Sequence, residues 1–353
     1  MLCILITVRF GLILMFRMRI FWIILLGMSL HNSLHAKSLT DLLQGKKDSS
    51  YIENYFNDVI VRLYSDEKSH SIQLNDLIHS YNLKYLPNGY YNLGIGFNFR
   101  SFGLSFAAKL PEFQSNKQKY GETKRVGFQS YFYTGRFSID LFTSFIKGYY
   151  LKNSFNHLPS YTREKEYQRP DVSSATIGST VNYIFNHSKF SYKAAFMDTE
   201  RQKRSAGSVI AGGSIFIYQT KADSAIVPRG IDRNLFVKSR DISRSGVSTF
   251  NANLGYAYSL VFLQNGIVTL SYILGTGAQY NSFDSTFERE TDRWRISMNH
   301  TGRLGIGYWY RRYYARFGII RSSQYTSLKY NDLGISNGTN YIQLSLGKRF
   351  SIK

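Results

Sequence analysis

Residues 250–262 read Phe250-Asn251-Ala252-Asn253-Leu254-Gly255-Tyr256-Ala257-Tyr258-Ser259-Leu260-Val261-Phe262. Every even position carries an apolar or aromatic side chain, and the odd positions are small or polar until Val261. A period of two is typical of a β-strand with one apolar face and one wetter face. The run is longer than most soluble strands and has the length of a tilted membrane crossing. The stretch therefore predicts one strand of a membrane β-barrel.

The composition of the 353-residue chain fits the same fold. Aromatic residues reach 16%, with 28 Tyr and 26 Phe but only 3 Trp, and Tyr-rich alternating strands are typical of barrels with aromatic girdles. The mean hydropathy is −0.25. No apolar stretch beyond residue 36 approaches the roughly 20 residues that a membrane helix needs. We predict an all-β fold, a transmembrane antiparallel β-barrel, and exclude a helical membrane protein.

The N-terminus reads as a cleavable signal peptide, residues 1–36. A basic segment at 15–19 precedes an apolar segment at 20–30, and Leu34-His35-Ala36 is an acceptable cleavage site. A single signal-anchor helix is the alternative, but three arginines interrupt it. Cys3, the only cysteine of the chain, lies inside this segment. The mature chain therefore excludes disulfides, thiolate metal sites and cysteine nucleophiles, and export to the outer membrane is expected.

The chain carries a net charge of +21, and the signal removes three arginines and no acid, which leaves +18. Such a field attracts anions. We expect outer-membrane lipid and lipopolysaccharide at the barrel rim as partners, together with the outer-membrane assembly machinery and an anionic solute or glycan. No motif supports nucleic-acid binding, and no cofactor is predicted.

Tight turns and long polar loops alternate along the chain, as short periplasmic turns and long outer loops do in outer-membrane barrels. The tight turns fall at 100–101, 134–135, 187–188, 264–266 and 311–312, and Asn265-Gly266 is a strong hairpin signal. The turn at 187–188 predicts a strand with Phe190, Tyr192, Ala194 and Phe196 on one face. About 12 strands are clear, and Tyr81–Tyr85 and Asn234–Val237 are candidates that would raise the number to 14.

We predict three parts: the signal peptide at 1–36, a periplasmic segment or short β-hairpin at 37–80, and the barrel at 81–353. The final strand, 341–350, ends with Phe350 near the C-terminus, which resembles the signal that the assembly machinery reads. A lumen of this strand number needs a plug or holds water. Residues 219–249 or 37–80 are the candidate plugs.

The alternation assigns side chains to three environments. Asp140, Arg295 and Arg303 are predicted to face the lumen. An aromatic girdle is predicted from Trp309, Tyr310, Tyr313, Tyr314 and Phe350. The predicted lipid-facing residues are Phe250, Leu254, Tyr256, Tyr258, Leu260, Phe262, Leu270 and Tyr272.

Several short motifs follow one another along the chain in an order that is typical of one protein family. They include Val61-Arg62-Leu63-Tyr64, Tyr85-Leu86-Pro87-Asn88, Gln129-Ser130-Tyr131-Phe132-Tyr133, Asp223-Ser224-Ala225-Ile226-Val227-Pro228 and Gly255-Tyr256-Ala257-Tyr258. This series resembles the domain-of-unknown-function family 4421 over nearly the whole mature chain. The resemblance implies an exported protein of Bacteroidetes-type Gram-negative bacteria. It implies no activity and no catalytic residue.

No catalytic or metal site is predicted. His300 lies within a strand on the expected lipid face, with Ser297 and Asn299 on the other face, and no Gly-x-Ser-x-Gly motif is present. We expect a porin-like, non-catalytic barrel, either a narrow channel or a surface binding or structural protein. The alternatives are a lipid-modifying outer-membrane enzyme and a soluble secreted β-barrel.

Overall fold

A computed structural model of the protein describes residues 42–352, without residues 90, 111–115, 238, 286–288 and 328–332. The predicted signal peptide lies outside the described residues. The strands are β1 (Ile52–Asn54), β2 (Asp58–Asp76), β3 (Tyr81–Leu86), β4 (Tyr91–Phe99), β5 (Phe102–Lys109), β6 (Lys124–Tyr133), β7 (Phe137–Leu151), β8 (Tyr167–Ile184), β9 (Glu200–Gln202), β10 (Ala206–Lys221), β11 (Ile242–Phe262), β12 (Gly266–Ser285), β13 (Arg289–Tyr310), β14 (Tyr313–Ser327) and β15 (Leu333–Ser351). Short helices form at α1 (Lys117–Tyr120) and α2 (Tyr192–Phe196), with a 3-10 turn at Ser154–Asn156.

Twelve of these strands close into an antiparallel ring in the described part of the chain. The order around the ring is β2-β4-β5-β6-β7-β8-β10-β11-β12-β13-β14-β15, and β15 returns to β2. The closing pair runs from Leu333 opposite Asp76 to Ser351 opposite Asp58. Every strand of the ring has two neighbours, which removes most of the sheet edges, although β5 and β6 pair at only two positions. The predicted all-β antiparallel barrel is confirmed, with 12 strands in the ring.

Strand β2 lies in the barrel wall, so the predicted boundary at residue 81 is wrong and the barrel begins at Asp58. The two β-like pieces of this region, which suggested a short hairpin, are one 19-residue strand. The prediction of a hairpin was wrong because the inward side chains of this strand are mostly polar along its middle and apolar near its end, so the strand looked like two separate pieces. The inward positions Ile72 and Leu74 are apolar, whereas inward Arg62 and Asp66 are polar.

The barrel has a turn end and a loop end. The turn end holds the short connections at 100–101, 134–136, 263–265 and 311–312, which agree with four of the five predicted tight turns. It also holds the start of β2 and the end of β15, where the Ile352 amide donates to the Asn57 carbonyl at 2.9 Å. The longer connections, including 152–166 and 222–241, lie at the loop end.

The fifth predicted turn, at 187–188, is wrong. Residues 190–196 form no wall strand but enter the lumen and include helix α2, and β8 and β10 pair directly with each other. The candidate strand Asn234–Val237 is also absent, because these residues belong to the loop that connects β10 and β11. No helix in the described part of the chain is long and apolar enough to cross a membrane.

The two faces of the wall differ as the alternation predicts. The eight side chains predicted to face lipid all lie on the outer surface, where they are 36% to 63% exposed. Asn251, Asn253 and Ser259, at the intervening positions of β11, are at most 6% exposed and face the lumen. Contact of the outer side chains with lipid stays a prediction.

A bulge at Gly148 lets β7 change partners. Below it, β7 pairs with β6 as far as Lys147, and above it Tyr150 and Leu151 pair with β3. Gly148 has a φ of +93°, which glycine adopts without the penalty that a Cβ would bring. A Cβ at this position would lie 2.1 Å from the Glu122 carbonyl oxygen. Strand β3 thus lies between β2 and β7 at the loop end. There it fills the part of the wall that β4, β5 and β6 do not reach, since these three strands are shorter than β2 and β7.

Candidate lumen binding site

The segment between β8 and β10, residues 185–205, enters the turn end of the barrel and is called the plug here. Ser191 caps helix α2, because its Oγ accepts from the Ala194 amide at 2.9 Å. Phe190, Tyr192 and Met197 are at most 2% exposed and pack against wall residues such as Ile210 and Ile273. The β9 strand of the plug pairs with β1 near the N-terminal end of the barrel domain.

A buried ion pair attaches the plug to the wall. Arg316 of β14 donates from Nε to Asp198 at 3.0 and 3.1 Å, and its Nη2 donates to the Ala194 carbonyl at 2.8 Å. The two charged side chains are 6% and 1% exposed. Asn98 of β4 adds a hydrogen bond to the Met197 carbonyl at 2.7 Å. The plug is therefore held from two separate parts of the wall.

Glu200 is the buried charge centre within the plug. Its carboxylate accepts from Ser191 Oγ at 2.6 Å, lies 3.1 Å from Lys193 Nζ, and contacts Lys47. Burial alone would raise the pKa of Glu200, but the ammonium groups of Lys47 and Lys193 outweigh burial and hold the pKa below its usual value. The ion pair between Lys47 and Glu200 therefore attaches the segment before β1 to the plug.

An apolar cluster closes the loop end and is called the cap here. It joins wall residues to the folded loops that follow β7 and β10. The loop residues Leu158, Ile226, Ile231 and Phe236 are at most 5% exposed. The Phe236 amide donates to Asp76 Oδ2 at 2.8 Å. Both ends of the lumen are thus occupied by segments of the chain itself.

A polar cavity of about 290 Å³ remains in the lumen. Phe196 of the plug lines it at the turn end, and the cap begins at Ile72, two inward positions beyond Lys68 on β2. The charged side chains of its lining are Arg62, Asp66, Lys68, Arg125, Asp140, Arg303 and Arg316. Arg316 is already paired with Asp198, so the four other cationic groups face two carboxylates and the cavity suits an anion.

Strand β2 supplies the central column of this lining. Arg62 donates to Gln343 Oε1 at 3.2 Å, to Ser105 Oγ at 2.9 Å and to the Tyr131 hydroxyl at 2.7 Å. Lys68 donates to Gln129 Oε1 at 3.1 Å. All of these hydrogen-bond partners are neutral side chains, so none of them supplies a counter-charge to Arg62 or Lys68.

The carboxylates of the cavity already have partners. Asp66 accepts from Asn92 Nδ2 at 2.6 Å and from the Tyr341 hydroxyl at 3.3 Å. Asp140 accepts from Arg303 Nη2 at 2.7 Å and from the Tyr133 hydroxyl at 2.6 Å. The Arg303–Asp140 pair joins β13 to β7 across the lumen, which narrows the interior.

Two of the three residues that the sequence predicts to face the lumen, Asp140 and Arg303, line this cavity in the structure. Arg295 lies on the same strand face as Arg303, opposite Gln279, and outside the cavity lining. The β2 column was missed, because residues 37–80 were expected outside the barrel. The alternation of Arg62, Tyr64, Asp66 and Lys68 with outward Leu63 and Ser65 was the signal that could have revealed it.

The predicted aromatic girdle divides into two groups. Tyr310, Tyr313 and Phe350 lie on the outer surface at the turn end, 46% to 59% exposed. Trp309 and Tyr314 are 3% and 4% exposed and face the lumen with Ile60 and Ile267, so their assignment to the girdle is wrong. The two-residue turn pairs 310 with 313 and 309 with 314, and successive pairs point to opposite faces.

His300 lies where the alternation predicts and is not part of the cavity. Its ring lies 6.1 Å from that of Tyr272 on the outer side of the wall, whereas Ser297 is fully buried on the inner side. These two side chains therefore do not come together for acyl transfer. Within the described residues there is no cluster of three His, Cys, Asp or Glu side chains that could hold a metal ion.

Comparison with known proteins identifies one matching family and several solved structures of low similarity. The profile of the family described as "Domain of unknown function (DUF4421)" matches residues 46–350. No curated protein matches the sequence significantly. Among solved structures, the chain is similar to the outer membrane protease OmpT from Escherichia coli, with 10% identity, a TM-score of 0.36, and 84% of this chain and 98% of that chain covered.

Two further likenesses are of the same kind. The P. putida toluene transporter TodX shows 9% identity and a TM-score of 0.28, with 89% of this chain and 95% of that chain covered. The beta domain of the Bordetella autotransporter BrkA shows 10% identity and a TM-score of 0.34, with 82% of this chain and 99% of that chain covered. Identities and TM-scores this low assign no activity to the chain.

Proposed function

The chain belongs to the DUF4421 family, and for this member we propose a non-catalytic outer-membrane β-barrel that binds a ligand in a closed lumen instead of conducting solutes. The outer surface supports the membrane location. Leu254, Leu270 and Leu346 on three different strands are 61% to 63% exposed. Soluble proteins rarely expose large contiguous apolar surfaces, and closed β-barrels are one of the two architectures that span lipid.

The observation that carries the binding role is the obstruction of both lumen ends by the chain itself. The plug is attached through Arg316 and Asp198, and the cap packs Phe236 and Ile226 into the barrel mouth. A passive channel needs a continuous aqueous path, and the plug and the cap lie across the two ends of the lumen. The cavity between the plug and the cap instead has the polar and charged lining by which binding sites orient a ligand.

A lipid-modifying enzyme is the alternative role, and the site gives it little support. His300 and Ser297 lie on opposite sides of the wall. In the cavity, Asp140 is already engaged by Arg303 and Tyr133. A soluble secreted barrel is also less favourable, because it would leave the apolar exterior in water.

Planar-bilayer recording tests the closed lumen. The intact chain, inserted repeatedly into bilayers, is expected to give no stepwise conductance, because the plug and the cap block both entrances. Removal of plug residues 190–199 together with cap residues 224–240 should produce discrete steps. Regular steps from the intact chain, at a size equal to those of the doubly shortened chain, would contradict a closed lumen.

A further inference from the structure

The barrel wall has an incomplete seam between β5 and β6. These strands pair only at Phe102 with Phe132 and at Gly103 with Tyr131. Their outer neighbours are fully paired, β4 with all eight residues of β5 and β7 with all ten residues of β6. In the described part of the chain, 104–109 and 124–130 thus face each other without ladder hydrogen bonds. This gap is called the side opening here, and six strand residues give it a height of about 20 Å.

The side opening lies at the height of the apolar outer surface. Register places Phe106 of β5 beside Ile95 of β4, and Val126 of β6 beside Phe145 of β7. All four side chains are outward and exposed, from 38% for Ile95 to 74% for Val126. The opening therefore faces the zone in which the proposed bilayer contacts the wall.

Defined contacts bound the side opening above and below. Below, the Tyr133 amide donates to the Ser101 carbonyl at 2.9 Å. Above, Thr123 Oγ1 accepts from the Asn88 amide at 2.8 Å and donates to the Gly148 carbonyl at 2.7 Å. The side opening is therefore delimited at both ends by hydrogen bonds, and it is not a frayed strand end.

The side opening leads directly into the lumen cavity. Ser105 and Ala107 on one edge, and Gly127, Phe128 and Gln129 on the other, line the cavity. Phe128 is 53% exposed on the outer surface of this same edge. Unpaired backbone at membrane depth is tolerated where it is buried in protein or lines a water-filled cavity, and the cavity with its charged lining lies directly behind these two edges.

The cations behind the opening indicate the chemistry of the occupant. Among the described residues, Arg62 and Lys68 form no ion pair, and their hydrogen bonds go to neutral side chains. Arg62 is 5% exposed and lines the cavity. A buried guanidinium beside a cavity is suited to a phosphate or carboxylate.

We propose that the side opening admits an anionic amphiphile from the bilayer, with its phosphate or carboxylate head bound by Arg62 and Lys68 and its acyl chain remaining between β5 and β6. This inference rests on the proposed closed lumen, because the opening is then the way into the cavity. A cavity of about 290 Å³ is near the lower limit of ligand pockets. It suits a head group, and the exposed Phe106 and Phe128 suit the chain.

Binding of tail-labelled phosphatidylglycerol to the full chain in neutral detergent, followed by fluorescence anisotropy, tests the head-group site. We expect saturable binding and about tenfold weaker affinity for Lys68→Gln, because one charge-assisted contact is lost. Lys221→Gln removes the same charge from the exposed end of β10 and should leave the affinity unchanged. Equal affinity of Lys68→Gln and the unaltered chain would overturn the proposal.

Three competitors identify the source of the anion. Unlabelled phosphatidylglycerol should displace the label, while zwitterionic phosphatidylcholine and inorganic phosphate at the same concentration should displace little. Complete displacement by inorganic phosphate would show that a water-borne anion occupies the site, which contradicts the amphiphile. Equal displacement by phosphatidylcholine would contradict recognition of an anionic head.

Cross-linking tests the route of entry. Phe106→Cys and Phe128→Cys, joined by a short bismaleimide in a chain with Cys3→Ser, should bind far less labelled lipid than the same variant before joining. Leu254→Cys with Leu274→Cys, a paired outward position on β11 and β12, is the matched control and should bind normally when joined. Undiminished binding after closure at 106 and 128 would overturn lateral entry.

The outcomes separate this inference from the closed lumen on which it rests. A barrel that stays silent in planar bilayers and binds no anionic lipid would overturn the side-opening site alone. A barrel that conducts while intact would overturn the closed lumen, whatever its lipid affinity.

Discussion

Leu254→Arg is expected to lower the free energy of unfolding in a phospholipid bilayer by about 2 to 4 kcal/mol. Leu254 lies in the middle of the apolar face of β11 and is 63% exposed, opposite Leu274 of β12, which is 57% exposed. A guanidinium at this height would displace an apolar group from hydrocarbon and bring a charge into it. Urea titration of the barrel in vesicles, read by gel migration without boiling, measures the change.

Leu263→Arg is the matched control for that prediction. Leu263 is even more exposed, at 78%, but it lies in the turn after β11, at the turn end of the barrel. Its cost should fall to about 0 to 1 kcal/mol, because the side chain reaches the interface or water. If the two arginines cost the same, the exposed face of β11 does not lie in lipid, and a soluble barrel gains support.

Asp198→Asn is expected to cost about 3 to 5 kcal/mol, because it leaves the Arg316 guanidinium buried without a counter-charge. Asp198 is 1% exposed and accepts two hydrogen bonds from Arg316 Nε. Its φ is +64°, a conformation that Asn also adopts, so the variant removes the charge without new backbone strain. Plug release, measured as cleavage of residues 189–204 by added protease, should accompany the loss in stability.

Two further variants separate charge loss from a general effect. Asp223→Asn removes an exposed carboxylate from the loop after β10 and should be close to neutral. Asp198→Asn combined with Arg316→Met removes both buried charges and should recover much of the lost stability. A plug that stays protected in Asp198→Asn, with stability equal to that of Asp223→Asn, would show that the ion pair does not hold it.

The wall could be predicted from the sequence, because a period of two is a local property of the chain. All eight residues assigned to the outer face from the alternation around Phe250 and Leu270 are exposed. The plug could not be predicted in this way. Phe190, Tyr192, Ala194 and Phe196 alternate as a strand would, yet they are apolar because they pack inside the lumen. Their burial depends on contacts such as Tyr192 with Tyr133, which are distant in sequence.

Only part of the lumen site could be predicted from the sequence, for a related physical reason. Asp140 and Arg303 stand out as charges within strands that have clear apolar faces. Arg62, Asp66 and Lys68 lie on a strand whose outward positions turn polar beyond Leu63, with Ser65, Glu67 and Ser69. Without a continuous apolar face, the alternation along β2 is a weak local signal for a wall strand. The pairing with β15 shows where β2 belongs.

The most direct test of a lumen closed at both ends and open at the side is the accessibility of a nitroxide label on Ala107→Cys in vesicles. Ala107 lines the cavity at the edge of the side opening. The label should relax strongly with oxygen, which concentrates in lipid, and weakly with a water-soluble nickel chelate. A label on the outer residue Leu270→Cys gives the reference for lipid. Strong relaxation by the nickel chelate with little effect of oxygen would contradict the account, because it would show a lumen open to water and closed toward the membrane.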